Sequence, residues 1–290
     1  MAQAVLQETG GNRAAGSRLG RSALLLGLLV AATSAMLALV AVVVGGRLPR
    51  SELAYVSYRL SQSDIILFDA LRHVEHNLTG TPAYDLNPAW SPDGSQMAFV
   101  SDRDGGLQIF LMDANGEQIR RLTPPGRAFE APRWSPDGNR LAFVARGTTG
   151  ADVFVVNADG TGFQQVSGET TELGSIMLEL GMDAPAAGGT ESPVDGEAIS
   201  FHYALETGWG LYMGESQEDE GDFLASLGPI VSELSASWSP DGQAIAYLSW
   251  ADGAPDLYLI APSPGSPARQ ITRDSFYESS PVWRPAQATS

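Results

Sequence analysis

The sequence predicts an all-β protein, a β-propeller of four-stranded antiparallel blades that follows one transmembrane α-helix. The phrase Trp-Ser-Pro-Asp-Gly occurs at Trp90–Gly94, Trp134–Gly138 and Trp238–Gly242, and a short run of alternating apolar residues follows each copy. An uncharged apolar stretch, Ser22–Gly46, precedes all three copies. A repeat of about 44 residues cannot bury its apolar face alone, so the copies must stack on one another.

Each repeat contains four candidate strands. The first carries the Trp, and the second alternates apolar residues such as Met97 and Phe99. The third is continuously apolar, as in Ile109–Met112, and the fourth is polar and ends near Leu122. This alternation favours strands over helices. In the Ser-Pro-Asp-Gly turn, Pro presets φ, Asp bonds back to the backbone and Gly takes a positive φ, which predicts a tight hairpin between the first two strands.

The spacing of the Trp residues predicts the number of blades. Trp90 and Trp134 are 44 residues apart, and Trp238 and Trp283 are 45 apart. The interval from Trp134 to Trp238 is 104 residues, which is room for two units. A weaker copy of the turn, Ser-Pro-Val-Asp-Gly at Ser192–Gly196, falls inside that interval. We therefore expect a degenerate fourth blade there.

The two ends of the repeat region are incomplete in complementary ways. Ser280–Trp283 has the pattern of a first strand with no second strand after it, whereas Ala54–Tyr58, Ile65–Phe68 and Val74–Leu78 resemble second, third and fourth strands. Joining them completes one blade and leaves no unpaired edge. The prediction is five blades, with six as the alternative if residues 168–190 form another degenerate unit.

The uncharged stretch Ser22–Gly46 has 25 residues and predicts a membrane anchor. A helix of this length spans roughly 37 Å, more than a hydrocarbon core requires. The apolar core of a cleavable signal peptide has about 7–15 residues, so an uncleaved signal anchor is the preferred interpretation. The alternative is a signal peptide cut near Gly45 and Gly46.

The flanking charges predict the orientation of this anchor. Arg13, Arg18 and Arg21 precede it, and Arg47 and Arg50 follow it, so the excess favours a cytoplasmic N-terminus. The expected location is the bacterial cytoplasmic membrane, crossed once, with the propeller on the extracytoplasmic side. The predicted organisation is a short disordered cytoplasmic tail (1–21), the anchor (22–46), a linker (47–52), the propeller (53–285) and a C-terminal tail (286–290).

The predicted propeller is strongly acidic. From residue 51 onward there are 12 Arg against 33 Asp and Glu residues, and the chain has no Lys and no Cys. Such a field repels phosphate backbones, which argues against nucleic acid as a partner. Without Cys, no disulfide can form, so folding does not depend on the redox state of the compartment.

The acidic residues are concentrated in one part of the chain. No Arg occurs between Arg146 and Arg269, a stretch with 19 carboxylates. Its densest run lies between the third and fourth strands of the weak blade and is interpreted first as a solvated loop. The functional interpretation is a docking face for a basic protein or peptide, or a weak divalent-cation site. The candidate binding residues in this run are Glu218, Asp219 and Glu220.

Few other residues suggest chemistry. Trp250 lies outside the repeat register, in a loop between two strands, and is a candidate binding residue because exposed loop aromatics often contact partners. His73 and His76 are three apart on a predicted strand, so they point to opposite faces and do not form a metal site. We predict no catalytic residue, no metal and no cofactor.

Roughly residues 53–285 of this chain resemble one known family of repeats. The string P-x-W-S-P-D-G, the apolar strand after it, the turn Ser101–Gly105 and the hairpin I-F-L-M-D-A-N-G resemble the TolB-type, WD-like propeller repeat. The resemblance implies a propeller fold. It implies little about function, because similar blades occur in periplasmic TolB and in oligopeptidase propellers. The G-x-S-x-G motif of those peptidases is absent from this sequence.

Two functions are compatible with the sequence. The first is a non-catalytic, membrane-anchored extracytoplasmic scaffold that binds a protein or peptide, a basic one if the acidic run is a docking face. The alternative is a small hydrolase or lyase that acts on peptide or carbohydrate with carboxylates in the propeller channel. Converging carboxylates of raised pKa at the channel favour the enzyme.

Overall fold

The computed structural model describes residues 52–59, 61–146, 151–166, 197–204, 208–214, 221–228, 234–251, 255–274 and 276–285. The chain divides into two compact units, Met1–Pro49 and Arg50–Ser290. The first unit, with the predicted tail and anchor, lies entirely outside the described residues. Within the described ranges there is no helix with the length and apolar character needed to cross a membrane.

The described part of the second unit consists of five antiparallel sheets. Four of them have four strands and the fourth sheet has three. Sheet 1 contains β19 (Tyr277–Trp283), β1 (Glu52–Arg59), β2 (Gln62–Asp69) and β3 (Val74–Asn77). Sheet 2 contains β4 (Asp85–Trp90), β5 (Gln96–Ser101), β6 (Gln108–Asp113) and β7 (Arg120–Arg121).

The remaining sheets follow in chain order. Sheet 3 contains β8 (Phe129–Trp134), β9 (Arg140–Arg146), β10 (Ala151–Asn157) and β11 (Gln164–Gln165). Sheet 4 contains β12 (Ala198–Ala204), β13 (Gly208–Gly214) and β14 (Asp222–Gly228). Sheet 5 contains β15 (Ala236–Trp238), β16 (Ile245–Ser249), β17 (Asp256–Ile260) and β18 (Arg269–Gln270).

The four-stranded antiparallel unit predicted from the repeats is confirmed in sheets 1, 2, 3 and 5. The weak turn Ser192–Gly196 lies outside the described residues, as does the segment 168–190 that the six-blade alternative requires. The blade count of five therefore stays a prediction, consistent with the five described sheets.

The predicted closure of the two chain ends is confirmed. Strand β19 pairs antiparallel with β1, with Leu53 opposite Trp283 and Tyr58 opposite Tyr277. No covalent turn joins these two strands, because they come from opposite ends of the repeat region. The seam between sheets 1 and 5 is the packing surface next to this junction.

The core consists of apolar clusters between neighbouring sheets. Along β1 the side chains alternate: Leu53 and Tyr55 pack against sheet 5, and Ala54 packs against sheet 2. Phe99 is fully buried between sheets 1 and 2, and Phe143 is fully buried between sheets 2 and 3. Sheets 1, 2 and 5 each have two apolar faces, and packing against a neighbouring sheet on either side removes both faces from water.

The repeated Trp residues pack between sheets. Trp134 Nε1 donates to the carbonyl oxygen of Ala89 at 3.0 Å, and Trp283 Nε1 donates to that of Ser237 at 3.0 Å. In both cases the acceptor lies in the preceding sheet and directly precedes that sheet's own Trp. The Nε1 atom of Trp90 is buried without a hydrogen-bond partner.

The Ser-Pro-Asp-Gly phrase forms the predicted turn. In the second copy Ser135 Oγ donates to Asp137 Oδ1 at 2.6 Å, the Asn139 amide donates to the same oxygen at 3.0 Å, and Gly138 has a φ of 70°. The hydrogen bond from Ser135 and those from Asn139 lower the pKa of Asp137 to about 2. The Asp side chain is thus an acceptor that holds the turn.

In sheet 1, Arg284 follows the Trp at the position where sheets 2, 3 and 5 have the Ser of this turn. Arg284 is 7% exposed, and its Nη1 lies 2.5 Å from Glu52 Oε2. Its Nε donates to the Gly94 carbonyl oxygen at 2.7 Å, and its guanidinium lies 5.1 Å from the ring centre of Trp90. One side chain therefore links the start of β1 to the first turn of sheet 2.

We expect Arg284→Ala to lower the free energy of unfolding by about 2–3 kcal/mol, because it leaves Glu52 and a buried carbonyl oxygen without their donor. Urea denaturation of the full chain measures this. The control is Arg72→Ala, which removes a pair with Asp69 in which the Arg72 side chain is 80% exposed. We expect a loss under about 0.5 kcal/mol there. Equal losses would contradict a special role for Arg284.

Trp283→Phe should destabilise the protein by about 1 kcal/mol more than Trp90→Phe, because only the first change removes a hydrogen bond. The two residues are 7% and 8% exposed, so the loss of buried ring area is similar. Thermal unfolding of both variants checks the difference. The prediction is wrong if Trp90→Phe is the more damaging change.

Candidate functional site: the central cavity

The innermost strands of three sheets share a distorted position. In β4, β8 and β19 the residue three positions before the Trp has a left-handed backbone, with φ of 48° at Asn87, 51° at Ala131 and 51° at Ser280. Each is followed by a Pro. The ladder to the next strand shifts register at the same place in all three sheets. These are β-bulges at equivalent positions.

The bulges are possible because these strands are sheet edges. β4, β8 and β19 pair with another strand on one side only. Pro has no N–H to donate, so within a sheet it is found at edges and bulges. A left-handed backbone costs a non-glycine residue of order 1 kcal/mol or more, and burial of the prolines that follow, Pro88, Pro132 and Pro281, holds it in place.

Sheet 5 lacks this distortion. The equivalent of the bulge residue is Ser235, which does not have a positive φ, and it is followed by Ala236 and not by Pro. The described inner strands are therefore not equivalent, although each of them ends at a Trp.

A cavity of about 450 Å³ lies among the three bulged strands. Its volume is within the usual range for ligand sites, roughly 300–1,000 Å³. Arg133, which is half-buried, is the one charged residue of its described lining, and no Asp, Glu or His belongs to that lining. The lining residues are Asn87, Pro88, Ala89, Trp90, Pro92, Ala131, Pro132, Arg133, Trp134, Pro136, Ser280 and Val282.

The carboxyl group with the most strongly raised pKa lies elsewhere. Glu278, in β19, is fully buried, and burial followed by the charges of Asp274 and Asp256 raises its pKa to about 8. It does not line the cavity. Burial also raises the pKa of Tyr247 to about 12. The described cavity and the described acid of raised pKa are thus separate.

Trp250 is less exposed than the sequence suggested. It is half-buried, and its side chain packs against the apolar cluster that joins sheets 1 and 5. Its backbone N–H donates to the Leu227 carbonyl oxygen at 2.7 Å, and its ring centre lies 6.4 Å from that of Tyr277. A role in binding stays a prediction. It is not brought to the cavity lining.

The acidic candidates Glu218, Asp219 and Glu220 lie outside the described residues, in the chain between β13 and β14. The two His of the His-Val-Glu-His run are exposed, and Arg269 Nη1 lies 2.8 Å from His73 Nε2. In the described ranges, no three His, Asp or Glu side chains are grouped closely enough to hold a metal ion.

Sequence reasoning missed the bulges, although the signal was present. A Pro stands two residues before Trp90, Trp134 and Trp283, but not before Trp238. A Pro inside a strand pattern indicates an edge or a bulge. The Pro-x-Trp string therefore distinguishes the cavity-lining strands from the inner strand of sheet 5.

The bulge at Ala131 can be tested with two substitutions. We expect Ala131→Val to lower the free energy of unfolding by about 1–2 kcal/mol, because a β-branched residue is strained at positive φ, whereas Ala131→Gly should change it by less than about 0.5 kcal/mol. Urea denaturation of both variants measures the difference. If Val is tolerated as well as Gly, the left-handed backbone at this position is not required.

The comparisons with known proteins concern the fold first. The sequence profile of the family described as the TolB beta propeller domain matches residues 49–176. A curated relative, the Tol-Pal system protein TolB of Syntrophus aciditrophicus (strain SB), is 41% identical over 56 residues. That alignment covers 19% of this chain and 12% of the relative.

Two solved structures illustrate the range of similar proteins. TolB from Acinetobacter baumannii is 22% identical with a TM-score of 0.40, over 81% of this chain and 55% of that one. An oligogalacturonate lyase from Vibrio parahaemolyticus is 16% identical with a TM-score of 0.32, over 68% of this chain and 54% of that one. The chain therefore spans about half of each of these proteins. The profile match and the four-stranded sheets support a TolB-type propeller for the described part of the chain.

Proposed function

We propose that this chain is a membrane-anchored, extracytoplasmic scaffold whose central cavity receives a segment of a partner protein. The observation that carries the proposal is the cavity of about 450 Å³ framed by three bulged inner strands. Edge strands offer unpaired N–H and C=O groups to an extended segment, and the Trp and Pro side chains offer apolar contact.

The charge of the chain supports a partner with basic character. The formal net charge is −17, and such a field attracts cationic molecules and steers their approach. The relative in Syntrophus is named as a component of a Tol-Pal system, which is compatible with binding to another protein. The acidic run with Glu218, Asp219 and Glu220 remains a candidate for the outer contacts.

The location is proposed from the sequence. The uncharged stretch Ser22–Gly46 serves as the anchor, and the Arg residues before it hold the N-terminus in the cytoplasm. Residues 53–285 then form the exported propeller. Protease treatment of intact and of broken cells tests the orientation: digestion of the propeller in broken cells alone would overturn it.

No observation on the described residues favours the hydrolase or lyase alternative. A carboxylate mechanism needs a pair of acids beside an accessible space. The described lining of the cavity has none, and Glu278 has no access to solvent. The scaffold is therefore the function that we put forward.

We expect Arg133→Glu to reduce the capture of partner proteins from membrane extracts at least tenfold, because it replaces the cationic donor of the described lining with a carboxylate, which cannot donate to the carbonyl oxygens of an extended segment. The full chain in detergent is the bait, and quantitative mass spectrometry is the readout. The matched control is Arg140→Glu, which makes the same change of charge at an exposed residue of β9.

The two variants separate the possible outcomes. Loss with Arg133→Glu alone supports the cavity as the binding site. Equal loss with both variants indicates a general effect of the added negative charge and contradicts a binding site in the cavity. No loss with either variant, for every protein captured by the unaltered chain, contradicts the proposal.

A further inference from the structure

One position of the inner strand is filled in three different ways. The residue five places before the Trp is Asp85 in β4, Phe129 in β8 and Glu278 in β19. All three are essentially inaccessible to solvent, with exposed fractions of 0%, 1% and 0%. Whatever stands at this position must therefore satisfy its chemistry inside the protein.

Two of the three residues are compensated. Asp85 forms an ion pair with Arg103, whose Nη2 lies 3.0 Å from Asp85 Oδ1. Phe129 is apolar and packs edge to face on Phe143 and Phe154, at ring-centre distances of 5.3 Å and 5.4 Å. Arg103 therefore neutralises the charge of Asp85, and aromatic contacts bury the ring of Phe129.

Glu278 has neither kind of compensation. Its described partners are two hydroxyl groups: Ser57 Oγ at 3.3 Å and Thr272 Oγ1 at 3.4 Å. The Thr272 hydroxyl also lies 3.1 Å from Asp256 Oδ1. A hydroxyl has a single proton, so it cannot donate to both carboxyl groups at once. The arrangement is satisfied when Glu278 carries a proton and Thr272 donates to Asp256.

The surroundings of Glu278 contain more acids than bases. Asp256 on β17 and Asp274 before β19 both act to raise its pKa, and Asp64 on β2 is buried opposite Ser57. The charged and titratable described residues around it are Tyr55 and Arg59 on β1, Asp64 on β2, Glu75 on β3, Asp256 on β17, Arg273 and Asp274 between β18 and β19, and Tyr277 on β19.

The described cations do not form an ion pair with this group. The guanidinium of Arg59 lies over the ring of Phe276, 5.1 Å from its centre. No described Arg or His is within ion-pair distance of Glu278. A buried carboxylate without a cation is unstable relative to the neutral acid.

The position of Glu278 gives this chemistry a structural consequence. Glu278 and Ser57 belong to β19 and β1, the pair joined without a covalent turn. Asp256 belongs to β17 of sheet 5, and Thr272 lies two residues after β18. We propose that Glu278 is a proton-operated clasp. With its carboxyl group neutral the seam is closed, with β19 paired with β1 and packed against sheet 5, and when that group ionises the seam opens and β19 separates from both.

The direction of the pH effect follows from linkage. The ordinary pKa of 4.5 is raised to about 8 in the closed seam, so the closed form holds a proton that the open form releases. The stabilisation is fully present below pH 4.5 and is lost as the pH rises towards 8. The opening constant should therefore increase roughly 50-fold between about pH 6 and pH 8, and level off at higher pH.

Hydrogen exchange of the full chain in detergent tests the proposal. Protection factors, corrected for base-catalysed exchange, should fall by that amount for amides of β1 and β19 and should stay constant for β5 and β9. Glu278→Gln, which mimics the neutral acid, should remove the pH dependence at the seam. Glu117→Gln, the same change at an exposed residue, should leave it intact.

Three results would overturn the clasp. The first is protection at the seam that does not change between pH 6 and 9. The second is a pH dependence that persists in Glu278→Gln. The third is an equal fall in all five sheets, which would indicate global destabilisation and not opening of one seam. None of these results depends on whether the cavity binds a partner.

Discussion

Burial of both faces of a sheet, as in sheets 1, 2 and 5, is the constraint on which the rest of this structure depends. Within β1 alone, Leu53 packs against one neighbouring sheet and Ala54 against the other. A sheet at the end of an open stack would expose one such face to water. The pairing of β19 with β1 completes sheet 1, which packs against sheet 2 on one face and against sheet 5 on the other.

Closure concentrates unusual chemistry at one place. In sheets 2, 3 and 5 a Ser-Pro-Asp-Gly turn connects the first two strands, and within it the Ser hydroxyl donates to the Asp carboxylate. At the junction of β19 and β1 this turn is missing, and Arg284 with Glu52 supplies an ionic link in its place. Glu278 lies near the start of β19, whereas Arg284 directly follows the end of that strand. The junction thus combines an ion pair with a buried acid that forms no ion pair with a described cation.

Much of this fold could be predicted from the sequence because turn chemistry and apolar alternation are local. The repeat of Trp134 and Asp137 predicted the sheets, their order and the closure. The site could not be predicted in the same way. The bulge at Ala131 depends on a free sheet edge, and the surroundings of Glu278 combine residues more than 200 positions apart in sequence, such as Ser57. Trp250 was misjudged as exposed because its cover comes from another sheet.

The absence of a bulge in sheet 5 has a consequence for the orientation of a bound molecule. If all inner strands were alike, a molecule at the centre could bind in several equivalent rotations about the axis. Asn87, Ala131 and Ser280 share a shape that Ser235 lacks, so this rotational degeneracy is broken. A molecule that contacts all three bulges has one orientation relative to β4, β8 and β19, and the unequal strands define which way it faces.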